Sequence, residues 1–317
     1  MRATEFMLGI LKKLQEDKEL AESTSIKYIK NLYALNNSQS FKNLAWTKKK
    51  DSIETILKPY AKSTQKTLIA SLVSVLSMYK SKPSYARIYK YWYAKMMDTA
   101  TNSKEESKKL TNEKQKKNWI DWKDVLKRKE ELKDLVEGFC KNKLISKKQY
   151  DTLLQYVILS LYTDIPPRRN KDYSEMWIIR KMNKKKDNSK NYLDLHNHSL
   201  IFNTYKTSKK YGKQEINFEK NDDLTYALNC YLKHHPTKKR MGKNTEIRLL
   251  VNSDGSSLPN DNSITRILNK ALKKKVGSSM LRHIYLTSKY GDEFKKMEKD
   301  AENMGHSIAQ QKEYVVD

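Results

Sequence analysis

The chain has 317 residues, 38% of them hydrophobic and 32% charged, and Lys and Arg outnumber Asp and Glu by 64 to 37. No run approaches the ~20 apolar residues of a membrane span, and a formal net charge of +27 argues for a polyanionic partner, most simply nucleic acid. Eight Gly and six Pro leave few tight turns, so a mostly helical chain is expected, long enough for two domains of roughly 100–200 residues each.

Residues 1–100 read as a helical domain. Phe6, Ile10, Leu11 and Leu14 recur at helical spacing. Thr24 or Ser25 is placed to cap a second helix carrying Ile26, Ile29, Leu32 and Tyr33. Ser52 to Leu57 fits a third, stopped before Pro59, and Ser63 opens a fourth with Leu68, Leu72, Val75, Leu76 and Tyr79 as its core face. A fifth runs from about Ser84 to Asp98. Its stripe of Tyr85, Tyr89, Tyr91, Trp92 and Tyr93 suits packing first and base stacking second. Lys48, Lys49, Lys50 and Lys66 are the lysines of this half assigned to DNA phosphates.

Residues 101–118 are polar or charged except Leu110. No core can be built from them, so they read as a basic linker. A second domain, 119–317, starts at Trp119. A charged helix from Asp124 to Phe139 is followed by one that Ser146 can cap, with Leu153, Leu154, Val157, Ile158, Leu161 and Tyr162 buried. Pro166 and Pro167 end that helix. Arg168 and Arg169 come next, where a buried helix exit can hold a guanidinium rigidly, and Asp172 is placed to orient Arg169.

Short strands follow at 177–179, 192–195, 200–202 and 214–218, with the basic loop Lys184-Lys185-Lys186 after the first. The segment Tyr205 to Gly212 reads as a hairpin tip. Lys206 is anchored at the strand end and can donate a proton into a cleft; Lys209 and Lys210 are expected on phosphates. His196 and His198 flank a turn without a third ligand at metal-site spacing, so no metal and no cofactor are expected. Leu224–Leu232 reads as a helix, and Asn262 or Ser263 as the cap of another that Lys273-Lys274-Lys275 closes. Mainly α with a small antiparallel β-sheet is the expected fold class. Cys140 and Cys230, far apart in sequence, are read as reduced, and the absence of a signal-peptide pattern points to an intracellular protein.

In the last forty or so residues an arginine, a histidine and a tyrosine follow one another. Leu281, Ile284, Tyr285 and Ser288 make one helical face, with Arg282 on another. A further amphipathic helix carries Phe294, Met297, Ala301 and Met304. Gly305 is a natural helix stop, and Ser307 with Gln310 resembles a capping box. His306 then stands at a helix–helix junction and Tyr314 on the last helix. Arg282 can fork onto a phosphate oxygen, His306 can stabilise the charge that develops there, and Tyr314 can attack as nucleophile.

With these residues laid out, the second domain resembles the catalytic domain of the tyrosine recombinases, or phage-type integrases. It looks most like the versions found in large DNA viruses and virophages. Arg169 in Pro166-Pro167-Arg168-Arg169 matches the family's first arginine, with Asp172 at the acidic position, and Lys206 matches the hairpin lysine. Arg282 matches the second arginine, His306 in Gly305-His306-Ser307 the second histidine, and Tyr314 the nucleophile. The family's first histidine falls at Ser279 here; Ser279 or His283 is the candidate replacement, and Arg168 a supporting cation. The resemblance implies a core-binding domain at 1–100 and a catalytic domain at 119–317. It also implies site-specific cleavage and rejoining of double-stranded DNA through a 3′-phosphotyrosyl link, without metal or ATP, by a tetramer on DNA. A DNA-relaxing enzyme of the type IB topoisomerase kind and a DNA-binding relative without activity are the alternatives.

Overall fold

The computed structural model describes residues 2–182, 186–240, 246–311 and 313–314, and the side chains of these except 103–115. Lys184 and Lys185 of the expected basic loop, and Leu110 as a side chain, lie outside that set. The protein is mainly helical with a small mixed sheet of five strands. It divides into two compact units, Met1–Lys116 and Lys117–Asp317.

The first unit contains α1 (Glu5–Glu16), α2 (Glu22–Leu35), α3 (Lys50–Leu57), α4 (Lys62–Ser77) and the start of α5 (Pro83–Asn118). Its core comes from the apolar faces expected: Met7, Ile10 and Leu14 of α1, Ile29 and Leu32 of α2, Ile53 and Leu57 of α3, and Leu68, Leu72 and Leu76 of α4. The cap of α2 departs from expectation. Ala21 precedes the helix, and the Ser25 hydroxyl donates back to the Ala21 carbonyl instead of capping. The aromatic stripe packs except at Tyr93, which is exposed. Trp92 is fully buried and donates its Nε1–H to the Thr47 carbonyl at 3.1 Å, while Tyr85, Tyr89 and Tyr91 lie against the core. The stretch read as a linker, 101–118, falls within the bounds of α5, so helix continues where a tether was expected.

The second unit is built around α7 (Lys147–Thr163), which packs against α6 (Trp122–Cys140), α10 (Asp222–Lys233) and α11 (Asp261–Leu272). Ser146 forms a complete capping box with Gln149, so the backbone N–H groups at the start of α7 are satisfied from both sides. Between α8 (Asn170–Ser174) and α10 lie β1 (Trp177–Ile179), β2 (Tyr192–Asp194), β3 (Ser199–Phe202), the one-turn α9 (Ser208–Tyr211) and β4 (Gln214–Asn217). After α10 comes β5 (Ile247–Arg248), and the sheet order is β4-β3-β2-β1-β5. Ile178, Leu193 and Leu200 align across β1, β2 and β3 on the face that joins the main core. Ile179, Tyr192 and Ile201 make a smaller cluster on the other. That alternation is the period-two rule of a strand buried on both faces.

Four expectations need correction. The sheet is mixed, not antiparallel, because β1 and β2 run parallel. A parallel pair needs a long return connection, and residues 180–191 supply it. The tail forms one helix, α12 (Ser278–Asn303), where two were expected. Gly291 lies inside it, and a lone glycine costs a helix only about 1 kcal/mol. Cys140 and Cys230 are disulfide-bonded, not reduced. The packing of α6 on α10 brings the end of one helix beside the other, a neighbourhood that a sequence separation of 90 conceals. Asn260, not Asn262 or Ser263, precedes α11.

Candidate functional site

The exit of α7 is held from several directions. The Lys129 ammonium of α6 donates to Asp164 at 2.8 Å and to Asp223 of α10 at 3.1 Å, with Lys129 and Asp164 each only 5% exposed. Burial opposes the charge on Lys129, yet the bonds and charges of Asp164 and Asp223 prevail and raise its pKa. Burial raises that of Asp164 despite Lys129. The Asn221 amide donates to the Asp164 carbonyl at 2.7 Å. Beyond the prolines, Asn170 accepts from the Tyr162 hydroxyl and donates to the Asp261 carbonyl and the Thr265 hydroxyl of α11.

This frame separates the roles of two adjacent arginines. Arg168 is committed to the protein. Its Nε donates to Asp172 at 3.0 Å and its Nη1 to Gln214 at 2.8 Å, and its guanidinium lies 3.8 Å from the Phe202 ring centroid. Asp172 therefore bonds the Arg168 guanidinium, and Arg169 reaches Asp172 through its backbone N–H and its charge, not through a side-chain bond. The physical reason is the turn at Arg169, which precedes α8 and sets residues 168 and 172 side by side. Burial raises the Asp172 pKa, and the charge of Arg168 opposes that rise. Among the described residues, no side chain pairs with the Arg169 guanidinium.

Arg169 and Arg282, far apart in sequence, line one pocket of about 230 Å³ with Pro167, Arg168, Asp172, Tyr205, Thr207, Tyr211 and Gln214. Arg282 is carried there by the first turns of α12. Leu281 and Ile284 are buried on either side of it, and Tyr285 packs edge-on against Trp122 at 5.3 Å. The β3–β4 connection forms the opposite wall. It is the expected hairpin, with α9 in its tip and Gly212 at φ +66° closing it; only glycine adopts that conformation at no steric cost. Lys206 is exposed, between Tyr205 and Thr207, which line the pocket. Lys209 and Lys210 are exposed on the same tip, the latter 5.2 Å from the Tyr211 ring.

The tail forms a second group. Gly305 (φ +70°) ends α12 in a Schellman turn, with Gly305 N–H on the Glu302 carbonyl and His306 N–H on that of Ala301. The Ser307 hydroxyl accepts from the Gln310 N–H to start the short α13 (Ile308–Gln311). His306 thus stands at the junction expected. Tyr314 lies just past α13 and is 69% exposed, not on the helix. The two rings stack with centroids 5.7 Å apart, and together they line a pocket with Met304 and Gln311. So the structure groups Arg169 with Arg282, and His306 with Tyr314, in two pockets with no lining residue in common. Ser279 and His283 are both exposed on α12. In the first unit, Lys50 lies 3.8 Å and Lys48 5.7 Å from the rings of Tyr91 and Tyr85, Lys49 is exposed and Lys66 half-buried.

Sequence reading missed Tyr205, Thr207, Tyr211 and Gln214 as pocket walls, although the hairpin that carries them was legible. It also missed Asn191, which is buried and donates to the carbonyls of Asp172 and Thr204 while accepting from the Thr204 N–H. That amide ties α8 to the base of the hairpin, and nothing in its flanking sequence marks it. No protein-family model, curated protein or solved structure matches this chain. Among the described residues no helix is long and apolar enough to cross a membrane.

Proposed function

We propose that this protein cleaves and rejoins double-stranded DNA through a tyrosine-linked intermediate, in the manner of the tyrosine recombinases that its sequence resembles. The observation that carries the reading is the convergence of Arg169 and Arg282 in one pocket beneath a basic hairpin. Two guanidinium forks suit the non-bridging oxygens of a phosphodiester. In the reaction the Tyr314 oxygen bonds to phosphorus, the bond from phosphorus to the 5′ oxygen breaks, and that oxygen takes a proton from Lys206. The phenol proton leaves to solvent. The arginines and His306 stabilise the charge on the pentavalent centre. Because the phosphodiester is exchanged for a phosphotyrosyl ester, the reverse step needs no nucleotide.

Tyr314 and His306 line a separate pocket, so the reaction requires the segment after Gly305 to be carried to the arginines. It is supplied either within the chain or by a second copy on the DNA. The experiment is a pool of nicked duplexes of randomised sequence, scored for detergent-stable protein–DNA adducts. The wild type forms them; Tyr314→Phe forms none; Arg169→Ala and Arg282→Ala each reduce them by a factor on the order of 10²–10³. Mixing Arg282→Ala with Tyr314→Phe restores adducts if the tyrosine comes from a neighbour. Undiminished adducts from Tyr314→Phe end the proposal. The separation of the two pockets favours one other reading, a DNA-binding relative without activity, which binds the pool and links to none of it. Relaxation of any supercoiled plasmid marks a topoisomerase instead.

A further inference from the structure

A second concentration of positive charge lies at the other end of α7. Lys143, Lys147, Lys233, Lys238 and Lys239 line an open groove of about 660 Å³ with the loop that precedes α7, and Asp254 is its one carboxylate. Asp254 is already engaged by the N–H and hydroxyl of Ser256. Four other lysines of this unit have acidic partners: Lys129 and Lys133 share Asp223, and Lys186 and Lys190 share Glu246. Among the described ion pairs none involves Lys143, Lys147, Lys238 or Lys239. Five ammonium groups around one concavity repel one another; Lys233 donates to the Lys141 carbonyl and Lys147 faces Asp254, but one carboxylate does not balance five cations. A polyanion seated among them relieves that repulsion and releases its own counterions. Leu144 stands at the rim, 84% exposed, where a large apolar side chain has no partner in the fold. An apolar side chain beside cations is the kind of group that minor-groove proteins set against base steps.

We infer that this groove binds the phosphate backbone of DNA, at phosphates other than the one at the arginine pocket. The arginines follow the last turn of α7, and the groove surrounds its first. The helix has 17 residues and so separates the two by about 25 Å. A phosphate at one cannot be the phosphate at the other. The assignment needs only a polyanionic partner and does not depend on tyrosine chemistry.

The test is fluorescence anisotropy of a labelled duplex of about 30 base pairs, titrated at several salt concentrations. The variant Lys143→Ala/Lys147→Ala/Lys239→Ala is compared with Lys123→Ala/Lys127→Ala/Lys220→Ala, which removes the same charge from exposed positions outside the groove. Loss of three phosphate contacts lowers the slope of log K against log salt by about 2.7. The groove variant should show that drop and the control much less. Equal changes in both variants, or an unchanged slope in the groove variant, overturn the inference. Arg169→Ala/Arg282→Ala is run beside them and should keep the groove's contribution. Arginine variants that form adducts like the wild type would sink the cleavage reading alone, and a silent groove would sink this one alone.

Discussion

Replacing Lys129 by methionine tests the frame that delivers the arginines. The side chain keeps its length and loses its charge, and Asp164 is left buried with the Thr163 hydroxyl as its remaining side-chain donor among the described residues and the like charge of Asp223 nearby. Asp223 fares better, because it is nearly half exposed and retains Lys133 at 3.0 Å. At 2.8 Å and an effective dielectric constant of about 20, the Lys129–Asp164 attraction is roughly 6 kcal/mol. Relaxation and entering water reduce the net loss to about 3–5 kcal/mol, the usual cost of stranding one member of a buried pair. Hydrogen exchange in the peptide covering α7 reads this locally, without assuming that both units unfold together. The pH dependence has a definite sign. Burial already raises the Asp164 pKa, and removing Lys129 raises it further. A carboxyl whose folded pKa exceeds its unfolded value is destabilising when ionised. The deficit is therefore full at neutral pH and closes as pH falls through the raised value towards the ordinary 3.8. Lys129→Met/Asp164→Leu should recover most of the loss. A deficit below about 1 kcal/mol, or one that does not change with pH, would refute the reasoning.

Arg168→Lys should cost about 2–3 kcal/mol in thermal or urea unfolding, since an ammonium cannot bond Asp172 and Gln214 together while lying flat on Phe202. Reducing the Cys140–Cys230 bond, or Cys140→Ser/Cys230→Ser, should lower the stability of the second unit by about 4.6 kcal/mol on the chain-entropy estimate for a loop of 90 residues; an unchanged urea midpoint would count against it. His235 is buried, bonded through Nε2 to the Arg248 and Leu249 carbonyls, and burial lowers its pKa below 6.5. Its neutral form therefore stabilises the fold above about pH 6.5, and that contribution is lost as pH falls from there through the lowered value. His235→Gln should be less stable at neutral pH by a margin that narrows on acidification.

What the sequence determined by itself is local. Apolar residues at spacings of three and four announce α1, α4 and α7 because a helix repeats every 3.6 residues. Ser146 with Gln149, and Gly305 after Met304, mark helix ends because few residues satisfy the free backbone groups there. The hairpin and the order of Arg169, Lys206, Arg282, His306 and Tyr314 were legible in the same way. Tertiary structure alone decided the partnerships. Asp172 turned to Arg168, Cys140 found Cys230, β1 and β2 ran parallel, and the arginines met at the hairpin while Tyr314 stayed with His306. Each of these depends on which surfaces pack together over long sequence separations, and no short-range pattern in the chain encodes that choice.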